Sequence, residues 1–234
     1  MTKVLMVVSG SDHWTLNDGT KHPTGFWAEE LITPHDVFED AGFDVDFATP
    51  GGVRPTLDEN SMKVTSGVKP SAAKAMRKRL EELDGELSHP LALTDVNPDD
   101  YDIVFYPGGH GPMEDLSQDK TSGNILNTFL TSGKVVGVLC HSPASLLATV
   151  DEDGKTPFTG RKITGFSTRE EKLQPFGRKA KWFLEKELER IGLDYSKALP
   201  FTSHVVVDSN LYSGQNPQSS KKLAETIVEA VQGK

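Results

Sequence analysis

The sequence predicts an α/β protein, with a mostly parallel sheet covered by helices on both faces. Three observations carry that prediction. Short apolar, largely β-branched runs recur, as KVLMVV at 3–8, YDIVFY at 101–106 and KVVGVL at 134–139. Such unbroken runs suit strands buried on both faces. Between them lie helix-period segments that close on glycine, as at Gly42, Gly133 and Gly192. A hydrophobic content of 36% and a charged content of 25% over 234 residues describe a globular chain with material for a sizeable core.

Taken in order, Lys3–Val8 is the first strand, ended by Ser9–Gly10, and Ser11–Thr24 is a polar loop. Loops after strands in open α/β sheets line ligand crevices, so this one is a candidate wall. Gly25–Gly42 reads as a helix anchored by Phe26, Leu31, Val37 and Phe38, and Pro34 inside it predicts a kink or a late start. Phe43–Ala48 alternates as a second strand and runs into a PGG turn. Residues 54–98 are the least regular part, with one helix expected at Ser71–Asp84 and few apolar residues. They read as an insertion or flap on a single domain spanning 1–234. Tyr101–Tyr106 is a buried strand leading into PGGHGP, and Leu116–Thr131 a helix. The strand at 135–139 turns abruptly at Cys140–His141, and Ser142–Pro143 starts an apolar helix. Beyond it come a hairpin-like excursion at 151–160, a short strand at Lys162–Thr164 and an amphipathic helix at Lys179–Ile191. Short strands at His204–Val207 and Leu211–Tyr212 and a terminal helix at Asn216–Gln232 complete the chain.

A formal charge of −9 argues against nucleic acid or an anionic membrane as the main partner. No apolar run reaches membrane-spanning length, and no signal-peptide pattern opens the chain. One cysteine excludes an internal disulfide and fits a reducing cytoplasm. No metal-ligand cluster of zinc spacing stands out; His13, His22 and His35 are scattered. The expectation from the residues is therefore no metal.

Three features fall at the carboxyl ends of predicted strands. Cys140 sits on the elbow, where the positive end of the following helix lowers a thiol's pKa and frees a nucleophilic thiolate. The alternative is a buried structural cysteine. The flanks depart from the usual Gly-x-nucleophile-x-Gly pattern, because Val138 and Ser142 occupy the glycine positions. Gly108–Gly109–His110–Gly111 lets backbone N–H groups approach a substrate oxygen, as an oxyanion hole or as a plain tight turn. The acidic pair Glu29–Glu30 lies in an otherwise apolar stretch and is either solvated or aimed into a site. Trp14, Trp27 and His110 are candidate pocket walls, with ordinary packing as the alternative for the tryptophans.

TGFWAEELITPHDVFEDAGFDVDFATPGG, DDYDIVFYPGGHGPMEDL and GVLCHSPASLL, in that order, resemble the ThiJ/PfpI superfamily, which is related to class I glutamine amidotransferases. The resemblance spans nearly the whole chain and is nearest to the glyoxalase III and stress-chaperone branch. It implies a flavodoxin-like three-layer sandwich, a cofactor-free site and a homodimer. The family's acidic partner of the cysteine lies four residues before a proline; Pro34 therefore selects Glu30. The nucleophile and its histidine map onto Cys140 and His141. Gly108, Gly109 and the His141 amide map onto the oxyanion donors, with His110 and Trp27 beside the substrate. The third acid falls within Ser167–Glu171, as Glu171, with Glu170 still open. The implied reaction turns a small 2-oxoaldehyde such as methylglyoxal into a 2-hydroxy acid. Other readings are a stress-response chaperone or oxidation sensor, a deglycase or hydrolase, and a cysteine peptidase. The last is disfavoured because adjacent residues on an elbow usually point apart.

Overall fold

The computed structural model describes residues 1–233. Its strands and helices in chain order are β1 (Lys3–Val7), β2 (His13–Thr15), β3 (Lys21–Pro23), α1 (Ala28–Asp40), β4 (Asp44–Thr49), α2 (Pro70–Glu82), α3 (Asp84–Ser88), β5 (Leu91–Ala92) and β6 (Ile103–Tyr106). There follow α4 (Gly111–Glu114), α5 (Lys120–Thr131), β7 (Val135–Leu139), β8 (Lys162–Ile163), α6 (Thr168–Leu173), α7 (Leu184–Arg190), β9 (Asp194–Tyr195), β10 (Val205–Asp208), β11 (Leu211–Gly214) and α8 (Ser220–Gly233).

Seven strands form the central sheet in the order β10-β11-β7-β6-β1-β4-β5. Every pairing is parallel except the β10–β11 hairpin at one edge. Consecutive residues of β6 show why the sheet is covered twice. Phe105 meets Phe38 of α1 edge-on at 5.5 Å, whereas the Tyr106 hydroxyl lies 3.0 Å from Ser122 Oγ of α5. Side chains alternate across a strand, so α1 and α5 lie on opposite faces. The result is the expected flavodoxin-like sandwich. Gly137 is required by this packing: a Cβ there would lie 2.7 Å from the Phe105 ring.

Register places the site. Ile103 pairs with Val135 and Tyr106 with Val138, so β6 and β7 end side by side. The glycine loop that follows β6 therefore meets the Cys140 elbow at the carboxyl edge of the sheet, the general position for ligand sites in such folds.

The structure departs from the sequence reading where local signals were weak. The 11–24 loop carries the small β2–β3 hairpin, which pairs Trp14 with His22. Helix α1 starts late, at Ala28, and runs through Pro34. The helix expected from Leu116 begins at Lys120, because the Asp119 side chain caps the Ser122 amide. The apolar helix after the elbow is a 3-10 helix, Ser142–Thr149. Residues 151–160 form turns without strands. Strand β8 pairs with β9 in a separate two-stranded sheet. The helix expected at 179–191 is confined to α7, with Trp182 and Phe183 preceding it. Residues 54–98 add β5 to the sheet edge, and α2 buries none of its residues. Among the described residues, no helix is long and apolar enough to cross a membrane.

Candidate active site

Cys140 is held in a left-handed backbone conformation, φ 61°, which costs energy for any residue with a Cβ. Four hydrogen bonds surround it. The Cys140 amide donates to Gly214 O at 2.9 Å, and its carbonyl accepts from the Phe166 amide at 2.7 Å. Ser142 Oγ accepts from the Leu139 amide at 2.7 Å and donates to Tyr106 O at 2.6 Å, tying the elbow to both strands. The strained turn brings Cys140 and His141 together. His141 Nδ1 lies 3.3 Å from Cys140 Sγ, contrary to the expectation that neighbours on an elbow diverge.

The opposite edge of the imidazole finds Glu171. His141 Nε2 lies 2.7 Å from Glu171 Oε2. His110 Nε2 approaches the same carboxylate at 3.1 and 3.3 Å. Burial opposes ionisation of Glu171, but His110 and His141 hold it well below the usual carboxylate range. Burial, with His110 alongside, lowers the His141 pKa to about 4. At neutral pH the pair is thus a carboxylate and a neutral imidazole. A carboxylate only accepts, so Nε2 carries the His141 proton and Nδ1 turns a lone pair toward the sulfur. The His141 ring packs against His110 at 3.9 Å and against Phe166 at 4.3 Å, both tilted to its plane.

Glu30 of α1 is fully buried, and neither carboxyl oxygen has a hydrogen-bond partner of good geometry. Its nearest polar groups are the Cys140 sulfur and the Gly108 and Gly109 amides. Burial raises its pKa to about 8, so it is mostly protonated near neutrality. Unsatisfied buried carboxyls are rare and mark functional sites. Glycine at 108 makes the approach possible, since a Cβ would lie 2.4 Å from Glu30 Oε2 and 2.8 Å from Cys140 Cβ. Gly109, at φ 94°, sits against Gly25 O, and the Trp27 amide donates to Gly108 O at 3.1 Å. These contacts lock the start of α1 to the glycine loop.

The thiol itself corrects the sequence reading. The elbow alone predicts a lowered pKa for Cys140. Burial instead raises it, and an ionised Glu30 raises it further. The sulfur therefore keeps its proton until a neighbouring base takes it, and the His141 Nδ1 lone pair is positioned to do so.

The remaining candidates separate cleanly. Glu29 is half-buried and absent from the cluster. Glu170 faces elsewhere: it accepts from Ser167 Oγ, Gln215, Asn216 and the Phe201 amide at 2.7–2.9 Å. Trp14 supplies the ring stacked on His110, at 5.0 Å; Trp27 contributes its amide. Phe166 and Phe176, which wall the two imidazoles, were missed in the sequence because isolated aromatics in irregular segments carry no periodicity. His110, His141 and Glu171 also have donor atoms close enough together to hold a metal ion, a grouping that no sequence spacing announces.

The DJ-1/PfpI family profile matches residues 23–230. The chain belongs to the DJ-1/PfpI family. Over 241 residues it is 29% identical to glyoxalase 3 of Candida albicans, covering 98% of both chains. It is 28% identical over 237 residues to the protein/nucleic acid deglycase HchA of Staphylococcus aureus, covering 97% of this chain and 78% of that one. Among solved structures, the rapid encystment protein of 24 kDa from Francisella tularensis superposes with a TM-score of 0.85 at 30% identity, over 97% of this chain and 98% of that one. These likenesses place this DJ-1/PfpI member near the glyoxalase III branch.

Proposed function

We propose that the protein is a cofactor-independent glyoxalase that converts 2-oxoaldehydes such as methylglyoxal into 2-hydroxy acids. The observation that carries this reading is a fully buried Glu30, its carboxyl among the Cys140 sulfur and the Gly108 and Gly109 amides, beside a cysteine whose other neighbour is the His141 imidazole at 3.3 Å; burial pushes the Glu30 pKa up to about 8, which favours the protonated acid near neutrality. A hydrolase needs the nucleophile and base alone; an added carboxyl acid suits a reaction that moves a proton between adjacent carbons. The similarity to glyoxalase 3 supports the same reading.

His141 Nδ1 takes the thiol proton as Cys140 Sγ bonds to the aldehyde carbon, and Glu30 protonates the aldehyde oxygen. The Gly108 and Gly109 amides steady that oxygen as charge develops. Glu30, now a carboxylate, removes the hydrogen from the former aldehyde carbon while His141 returns its proton to the ketone oxygen. The resulting enediol takes a proton from Glu30 at the neighbouring carbon and gives one back from its hydroxyl. A 2-hydroxyacyl thioester remains. His141 then activates water, the thioester is hydrolysed, and the Cys140 thiol is restored. One carbon is oxidised and its neighbour reduced, so no external electron acceptor enters. Glu171 holds the imidazole in the required tautomer and stabilises its transient charge.

The purified chain should form lactate from methylglyoxal without glutathione, and Cys140→Ala should abolish it. A folded wild-type protein that forms none would refute the proposal. The similarity to the HchA deglycase supports a second reading, in which the same cysteine acts on aldehyde adducts of amines. Release of free amine from such adducts faster than methylglyoxal is consumed would favour it.

A further inference from the structure

Charge is distributed unevenly along this acidic chain. Residues 161–197 hold ten Lys and Arg against six Asp and Glu; the rest holds fifteen against twenty-eight. Three of those six acids, Glu170, Glu171 and Glu185, are buried, so the surface of the segment is more positive still. Arg169, Lys172, Arg178, Lys186 and Lys197 line an open groove of about 810 Å³ beside α6 and α7, in which Glu185 is the one carboxylate among the lining residues.

The pairing of these cations is telling. Lys186 and Lys197 are held by Glu189 and Glu185 at 2.8 and 2.6 Å. Arg169, Lys172 and Arg178 make no ion pair among the described residues, and all three are exposed. Arg77, Lys78 and Arg79 of α2, by contrast, are each matched to a carboxylate. Lys172 Nζ lies 5.2 Å from the centre of the Phe183 ring, which keeps the ammonium at the groove wall. Three like charges held around one opening repel, and a multiply charged anion relieves that repulsion. Guanidinium forks match phosphoryl oxygens in geometry as well as charge.

We infer that this groove binds a ligand carrying two or more phosphoryl groups. The cations that make no ion pair come from two segments, 169–172 and 178, so more than one anionic group is needed to meet them. Arg169 and Lys172 project from the exposed side of α6, whereas Glu171 on the same helix is buried against His141. A ligand in the groove therefore leaves the catalytic cluster clear, and the inference stands independently of the proposed reaction.

Calorimetric titration of the full chain with sodium triphosphate at about 50 mM salt tests it, since phosphate contacts weaken steeply as salt rises. Saturable binding is expected, weakened by about tenfold or more in the double variant Arg169→Glu/Arg178→Glu. A charge-matched control far from the groove, Lys74→Glu/Lys222→Glu, should stay within about twofold of wild type. Circular dichroism checks the fold, and Arg169→Gln/Arg178→Gln replaces the reversal variant if that one unfolds. A single-stranded oligonucleotide that competes with triphosphate identifies a polynucleotide backbone as the source; failure to compete identifies a small phosphorylated molecule. Absence of saturable binding, or equal weakening by the control variant, would overturn the inference.

Discussion

His141 Nδ1 lies 3.3 Å from Cys140 Sγ, although the two residues are adjacent in the chain. Cys140 makes that contact from a left-handed backbone conformation, and the Gly214, Phe166 and Ser142 hydrogen bonds hold the turn there. If this imidazole is the base, His141→Asn should lower kcat by about 10²–10⁴-fold with a much smaller change in KM. Steady-state kinetics on methylglyoxal measure the split. Unchanged kcat would confine His141 to its backbone amide.

Glu171 and Glu170 are neighbours with different tasks, and substitution should separate them. Glu171→Gln removes the charge beside His141 and His110, so kcat should fall, by less than in His141→Asn, because the effect is one of orientation. Glu170→Gln breaks no hydrogen bond to His141 but puts a donor where donors from Ser167, Gln215, Asn216 and Phe201 converge. It should lose about 1–3 kcal/mol of stability, read by denaturant unfolding, with little change in kcat for the folded fraction. A reversed pattern would assign the third acid to Glu170.

Cys140 should alkylate with an apparent pKa above the free-thiol value of about 8.5, because burial and an ionised Glu30 both disfavour the thiolate. Glu30→Gln removes the charge that develops as Glu30 ionises and should shift the iodoacetamide profile to lower pH. A wild-type profile below the free-thiol value would mean that the elbow's dipole outweighs burial.

Much of this site was legible in the chain because its parts are local. A β-branched run broken by Cys-His-Ser-Pro announces an elbow, and a run broken by PGGHG announces a loop that tolerates close approach. Both fall at strand ends, and parallel register then brings them together. Assigning Glu30, and Glu171 with Glu170 left open, needed the family resemblance. Helical spacing alone left Glu29 open, and burial decided. The missed parts depend on contacts distant in sequence. The drop from helix to 3-10 after the elbow, the transfer of β8 to a second sheet and the Phe176 wall have no short-range signature. The thiol's raised pKa was missed for the same reason: the elbow is a local feature, whereas the burial that opposes it, and after it the carboxyl from α1, come from contacts distant in sequence.

The pH dependence of stability gives Glu30 a test independent of turnover. Its pKa is about 8 in the folded protein, against an ordinary value of 4.5. The folded state therefore binds more protons than the unfolded state between those values, and stability falls as pH rises through that window. The part Glu30 contributes is fully present below about pH 4.5 and lost as pH passes about 8. Its full size is roughly 5 kcal/mol at about 1.4 kcal/mol per pH unit. His141 acts with the opposite sign at lower pH, since its pKa is depressed to about 4 and stability falls as the unfolded imidazole protonates. Measurement between about pH 6.5 and 8.5 isolates Glu30 from that acid-side loss. Wild type should lose stability across this interval, and Glu30→Gln, which cannot ionise, should show a flatter profile and exceed wild type at its upper end. The same variant should lose most methylglyoxal turnover, because an amide cannot relay the proton between the two carbons. A parallel pH slope in both proteins would mean that Glu30 is ionised in the folded state, and the proton relay would then lack its acid.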